Sequence, residues 1–160
     1  MNKNAFYSIA PMMGRTDSYF CYILNLINNE IPIYTEMMHT NAVINSKKIS
    51  EYVYLPNKSK IIFQLGGNNP EYFKKAAEII AKLGFKEINI NCGCPSSRVQ
   101  AGSFGISLLS NPKLVRDCAD SIKQSTNLAV SIKTRIGVNY VSNNNILDNF
   151  VNEVSKSGVK

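Results

Sequence analysis

Short apolar runs alternate with stretches of helical period along most of this chain, and that alternation limits the folds open to it. Residues 7–10 read as a first strand stopped by Pro11, and Asp17 is set to cap a helix carrying Phe20, Ile23, Leu24 and Ile27 on one face. Residues 33–37 form a second strand that leads into a loosely helical stretch, and residues 52–60, with Pro56, read as a loop. A third strand at 61–65 ends in the Gly66-Gly67 turn. Asn69 then caps a helix with Pro70 at its first position, Phe73, Ala76, Ala77 and Ile80 on its buried stripe, and Gly84 at its end. A fourth strand at 87–91 enters a long loop containing glycine and serine. Asn111-Pro112 opens a helix with Leu114, Val115, Cys118, Ala119 and Ile122 on one face, and a fifth strand at 128–133 precedes a helix at about 145–157.

Strands alternating with helices imply a parallel sheet covered by helices, either an open doubly wound sheet or part of a (β/α)8 TIM barrel. Strands buried on both faces in an open sheet read as uninterrupted apolar runs. Here Asn89 and Asn91 share one face of the fourth strand, and Ser131, Lys133 and Arg135 share one face at the fifth. Polar residues at the C-terminal ends of strands suit the mouth of a barrel, so the expected fold class is an α/β TIM barrel with five β-α units present and the barrel incomplete.

Hydrophobic residues make up 44% of the 160-residue chain and charged residues 18%, a balance that excludes disorder. No apolar run reaches the roughly 18–20 residues of a membrane span. The N-terminus lacks a signal-peptide core, so the expected location is cytoplasmic. A net charge of +7 favours a polyanionic partner, although the charge is mostly lysine in an Asn- and Ile-rich sequence. Of the four arginines, Arg15, Arg98 and Arg135 fall inside the motifs below and Arg116 does not. Cys21, Cys92, Cys94 and Cys118 form neither a C-x-x-C pair nor a disulfide framework, so reduced thiols and no metal site are expected.

The densest signal is Asn89-Ile-Asn-Cys-Gly-Cys-Pro-Ser-Ser-Arg-Val-Gln100, directly after the fourth strand. Gly93 permits unusual dihedral angles and Pro95 stiffens the chain just after Cys94, so a held, accessible thiol stands at the mouth. Such a thiol can act as a nucleophile, as a general acid, or not at all. Cys92, Cys118 and Cys21 read as packing residues. His39 is the only histidine, and its spacing does not suggest a Cys–His hydrolase. Gly102-x-x-Gly105 is too short and too common to mark a phosphate loop, and Glu36 reads as a strand-end carboxylate that shapes the site or meets a cation.

The run N-I-N-C-G-C-P-S-S-R-V-Q-A-G-S-F-G resembles the tRNA-dihydrouridine synthases, which show N-x-N-x-G-C-P, and its second half resembles their A-type bacterial subfamily. Ala10-Pro-Met-Met-Gly-Arg-Thr-Asp17, Tyr34-Thr-Glu-Met37, Gln64-Leu-Gly-Gly67 and Lys133-Thr-Arg-Ile-Gly137 match in the same order, so the resemblance runs over essentially the whole chain. It implies an enzyme that reduces the C5–C6 bond of a tRNA D-loop uridine, at position 20/20a, with FMN recharged by NADPH. It further implies that Cys94 protonates C5 as a general acid and that Asn91 holds the uracil edge. Gln64 and Lys133 match positions that contact the flavin ring, and Pro11, Met12 and Met13 lie against the cofactor. Arg98 and Arg135 are candidates for tRNA phosphate or base contact, which suits the planar guanidinium fork.

A complete barrel of this kind takes about 250 residues. The resemblance assigns a histidine to the sixth strand, FMN-phosphate loops to the seventh and eighth, and a helical tRNA-binding domain beyond them. Residues 1–160 are therefore expected to be the N-terminal portion of one FMN-binding barrel domain. The alternatives are a truncated non-catalytic remnant or a half-barrel needing a complementary chain. A different FMN barrel of the dihydroorotate-dehydrogenase kind is disfavoured by R-V-Q-x-G-x-F-G and K-T-R-I-G. The 160-residue polypeptide alone is expected to hold no stable FMN. Stoichiometric flavin absorbance in the purified chain contradicts that expectation.

Overall fold

The computed structural model describes residues 7–52, 54–55, 57–137 and 144–159. Its elements run α1 (Ser18–Ile27), β1 (Ile33–Tyr34), β2 (Met38–His39), α2 (Thr40–Asn45), β3 (Ile61–Gly66), α3 (Pro70–Lys82), β4 (Glu87–Cys92), α4 (Ser97–Ala101), α5 (Pro112–Ser125), β5 (Ala129–Thr134) and α6 (Asn144–Ser155). Short 3₁₀ turns occupy Lys47–Tyr52, Lys58–Lys60 and Gly105–Ser110. The strands lie in the order β1-β3-β4-β5, with β2 also against β3, and every pairing is parallel. This is the β/α alternation of a TIM barrel whose described strands do not close on themselves.

Local chemistry explains the helices. Asn69 accepts from the Tyr72 amide at 3.2 Å, Pro70 follows, and Gly84 takes a φ of +92° just past the end of α3. Asn111 caps α5 through the Leu114 amide at 3.3 Å. The buried faces are Phe73, Ala76, Ala77 and Ile80 on α3, and Val115, Cys118, Ala119 and Ile122 on α5. The alanines bring α3 close to α5, where Ser121 Oγ donates to the Pro70 carbonyl at 2.9 Å.

The strands divide by face. Phe63, Leu65, Ile88, Ile90, Cys92 and Val130 pack among the helices, and all are buried. Phe63 meets the Tyr52 and Phe85 rings edge to face, at 5.5 and 5.2 Å between centroids. The opposite face carries Gln64, Asn89, Asn91 and Ser131, also buried.

Five expectations need correction. The first strand reduces to one bridge between Ile9 and Ile33, with Tyr34 N donating to the Ile9 carbonyl at 3.0 Å. The second strand is split, because Glu36 N leaves the sheet to donate to the Thr16 carbonyl at 3.0 Å. On α1 the buried positions are Ser18, Cys21 and Asn25, while Ile23 and Ile27 are 55% and 75% exposed. The small and polar side chains let α1 lie close to the loop before it, where Cys21 Sγ contacts the Thr16 carbonyl at 3.6 Å. In the expected loop at 52–60, Pro56 lies outside the described residues and residues 58–60 form a 3₁₀ turn. The loop after β4 contains α4 and a second 3₁₀ turn.

Arg116, the arginine outside the motifs, pairs with Glu153 and so ties α6 to α5. Ser157 Oγ donates to Asp120 at 2.6 Å and extends that seam. Replacing Phe63 with alanine removes the centre of the aromatic cluster. It is expected to destabilise the fold by about 3–5 kcal/mol, read as a lowered urea midpoint with an unchanged slope.

Candidate active site

Strand register builds the site. Gln64 lies opposite Asn89, Asn89 opposite Ser131, and Asn91 opposite Lys133. Gln64 Nε2 donates to Asn89 Oδ1 at 2.7 Å, and Asn89 Nδ2 donates to Ser131 Oγ at 3.0 Å. Asn91 Nδ2 donates to Gln64 Oε1 at 2.9 Å. Asn91 Oδ1 accepts from the main-chain amides of Gly93 and Cys94, at 3.2 and 2.9 Å. A main-chain N–H can only donate, so the Asn91 oxygen must face the loop and its nitrogen must face Gln64. The carboxamides therefore run head to tail from Ser131 to the backbone of Cys94.

The thiol loop is held on its other sides as well. The Cys94 carbonyl accepts from Ile106 N at 3.1 Å, and Cys94 Sγ lies 3.6 Å from Ser96 Oγ. Gly105 takes a φ of +64° beneath the thiol loop. A β-carbon there comes within 2.4 Å of Val99 Cγ1 and 2.7 Å of the Cys94 carbonyl, so only glycine fits. The Phe104 ring fills the space over Gly66 and Gly102. His39 packs edge-on against that ring at 5.0 Å, and its Nδ1 accepts from Asn41 N, which caps α2. Burial lowers its pKa. Arg135 Nε donates to the Gly93 carbonyl at 2.7 Å, and Thr134 Oγ1 donates to the Cys92 carbonyl at 3.3 Å.

The loop at 11–16 forms the facing wall. Met12 O accepts from Thr16 N at 2.9 Å, and Met12 N donates to Thr16 Oγ1 at 2.9 Å. Gly14 N donates to the Glu36 carboxylate, so Glu36 shapes this loop. Between loop and sheet lies an open cleft of about 540 Å³. Pro11, Met13 and Met37 give it an apolar side, and Gln64, Asn91 and Lys133 give it polar groups. Gly93, Cys94, Pro95 and Arg135 complete the lining.

The cleft gathers seven of the residues singled out in the sequence: Pro11, Met13, Gln64, Asn91, Cys94, Lys133 and Arg135. Met12 and Arg98 are exposed and do not line it. Met37 and Gly105 lay inside motifs of the sequence, but neither carried an assigned role there. The alternation in the fourth and fifth strands signalled Asn89 and Ser131, but not their place in a connected chain.

The other thiols contrast with Cys94, which is partly exposed. Burial pushes Cys21 and Cys118 up to about 12, with Asp17 and Asp117 respectively adding to the shift, and burial also raises Cys92. Among the described residues no group of three or more His, Cys, Asp or Glu side chains is arranged to hold a metal ion.

A parallel β/α array with a held thiol and buried amides at the C-terminal ends of its strands defines the class as a partial β/α barrel. The dihydrouridine synthase (Dus) family model matches residues 8–160, and the chain belongs to that family. It is 37% identical over 158 residues to the tRNA-dihydrouridine(20/20a) synthase of Shewanella oneidensis, covering 98% of this chain and 47% of the relative. The tRNA-dihydrouridine(20/20a) synthase of Vibrio parahaemolyticus is 39% identical over 158 residues, covering 99% and 48%. That of Escherichia coli K12 is 38% identical over 153 residues, covering 95% and 44%. The chain thus spans about half the length of these relatives.

The buried thiols set an alkaline limit on stability. Cys21 and Cys118 ionise near the ordinary 9.0 when unfolded but only near 12 when folded, so in between the unfolded chain releases protons that the folded chain retains. Their effect on stability is nil below about 9 and increasingly unfavourable as pH rises towards 12. Urea midpoints are expected to fall over that window and to fall less in a Cys118→Ala variant than in the parent chain.

Proposed function

We propose that this chain is the N-terminal part of an FMN-binding barrel that reduces a tRNA D-loop uridine, at position 20/20a, to 5,6-dihydrouridine. The observation that carries the reading is the convergence of Cys94, Asn91, Gln64, Lys133 and Arg135 on one cleft. The names of the relatives support it.

The cleft suits a flavin ring, a flat apolar body with polar edges. Pro11, Met13 and Met37 offer apolar surface, and Gln64 and Lys133 offer polar groups to the edges. Among the described residues Lys133 makes no ion pair, so its ammonium is available to balance negative charge on the reduced ring. When bound, FMN supplies the hydride to C6 of the uracil and is recharged by NADPH.

The remaining steps belong to side chains of this protein. Cys94 transfers its thiol proton to C5 as general acid, and the resulting thiolate takes a proton back from solvent. Asn91 has spent its oxygen on two main-chain amides and one of its two N–H bonds on Gln64. One N–H remains, so Asn91 suits a carbonyl oxygen of the base rather than an N–H. The target base leaves its stack to enter the cleft. Arg135 at the rim and Arg98 and Met12 outside it are assigned to RNA and cofactor contacts as the resemblance implies. Such a substrate fits a cytoplasmic protein, and among the described residues no helix is long and apolar enough to cross a membrane.

The barrel reading also requires further chain, continuous with this one or complementary to it. Tyr19, Ile23, Leu26 and Ile27 are more than half exposed along α1, an apolar face suited to burial. A helical tRNA-binding domain is assigned to that further chain as well.

In the flavin-loaded protein, Cys94→Ala is expected to slow uridine reduction by about 10²–10⁴-fold while flavin reduction by NADPH stays within about twofold. Stopped-flow absorbance separates the two half-reactions. Loss of both contradicts a proton-donor role.

A further inference from the structure

We propose that Ser131 is a positioning residue for Cys94, acting through Asn89, Gln64 and Asn91 although three carboxamides separate it from the thiol loop. The inference rests on reading the cleft as a site where Cys94 delivers a proton, because only then does the setting of the thiol govern the chemistry.

A carboxamide can be satisfied in either of two flipped orientations, and a chain of three can run in either direction. At the upper end the choice is forced, since the Gly93 and Cys94 amides only donate and hold the Asn91 oxygen towards them. That direction passes down to Gln64 and Asn89 and leaves the Asn89 nitrogen facing the bottom of the chain. It needs an acceptor there, and the Ser131 hydroxyl oxygen is that acceptor at 3.0 Å. Every side chain in the line from Ser131 to Asn91 is at least nine-tenths buried, so water does not replace a lost partner readily.

Removing the hydroxyl leaves a buried donor without an acceptor. Turning Asn89 over puts its nitrogen against the Gln64 nitrogen, and turning Gln64 over moves the same conflict to Asn91. Turning Asn91 over points its nitrogen at the amides of Gly93 and Cys94. The defect moves along the line but does not disappear, and its exit is the hydrogen bond that seats the thiol loop. Asn89 and Ser131 form the link that carries β5 into the setting of a loop at the end of β4.

The chain contains its own control. Cys21, Cys92 and Cys118 are buried in the core and report on global opening, whereas Cys94 reports on the loop. The test is the rate of iodoacetamide labelling at each cysteine at pH 8, followed by peptide mass spectrometry, in the parent chain, Ser131→Ala and Ser131→Thr. Ser131→Ala is expected to label Cys94 roughly tenfold faster, the scale of one lost buried hydrogen bond, with the other three thiols still protected. Ser131→Thr keeps the hydroxyl and is expected to match the parent. Three results overturn the proposal: no change in Ser131→Ala, equal acceleration in Ser131→Thr, or acceleration of all four thiols together, which marks Ser131 as merely structural. No flavin or RNA is used, so a failure here is distinct from a failure of uridine reduction in the loaded protein.

Discussion

The hydrogen-bonded line from Ser131 through Asn89, Gln64 and Asn91 to the Cys94 amide is the constraint on which the site depends. It crosses three strands on the inward face of the sheet, where the alternative to a partner is burial without one. Each unsatisfied group there costs about 1–3 kcal/mol, so the line fixes strand register as firmly as apolar packing does. A slip of one residue turns the amides into the helical layer and the apolar residues inward. Register and thiol placement thus have one cause.

The helical layer supplies the rigidity behind that line. Phe63, Leu65, Ile88 and Ile90 point away from the amides and are fully buried in one apolar core with the inner stripes of α3 and α5. A strand with an apolar outer face and a polar inner one belongs in a barrel, because the inner face there surrounds a site rather than a second helical layer. At the C-terminal ends of β3, β4 and β5 the polar face meets an open cleft. Glycine at 105 completes the fit, since its missing side chain is what lets the 3₁₀ turn close under the Cys94 carbonyl.

Much of this was legible in the sequence, for identifiable reasons. Asn69-Pro70 and Asn111-Pro112 fixed two helix starts, because cap and proline act within a few residues of the chain. The alternation at 87–91 and 128–133 revealed the inward face, and the N-x-N-x-G-C-P run located the thiol loop. Non-local effects were hidden. Glu36 N binds the Thr16 carbonyl and its carboxylate binds Gly14, which breaks the second strand through partners some twenty residues away. On α1 the apolar spacing pointed to Ile23 and Ile27, whereas the core takes Cys21 and Asn25 because the neighbouring loop approaches that side. Polar residues at 89 and 131 were visible, but their joining depends on strand order.

The most direct measurement of this account is hydrogen exchange of the side-chain carboxamides by NMR. Gln64 Nε2, Asn89 Nδ2 and Asn91 Nδ2 each donate to a buried acceptor, whereas Asn69, whose side-chain oxygen caps α3, is exposed. If the line holds the thiol loop, the three interior groups exchange orders of magnitude more slowly than the carboxamide of Asn69 and give separate, sharp resonances. If they exchange at the rate of a surface carboxamide, the line does not persist in solution and Cys94 is held by something else.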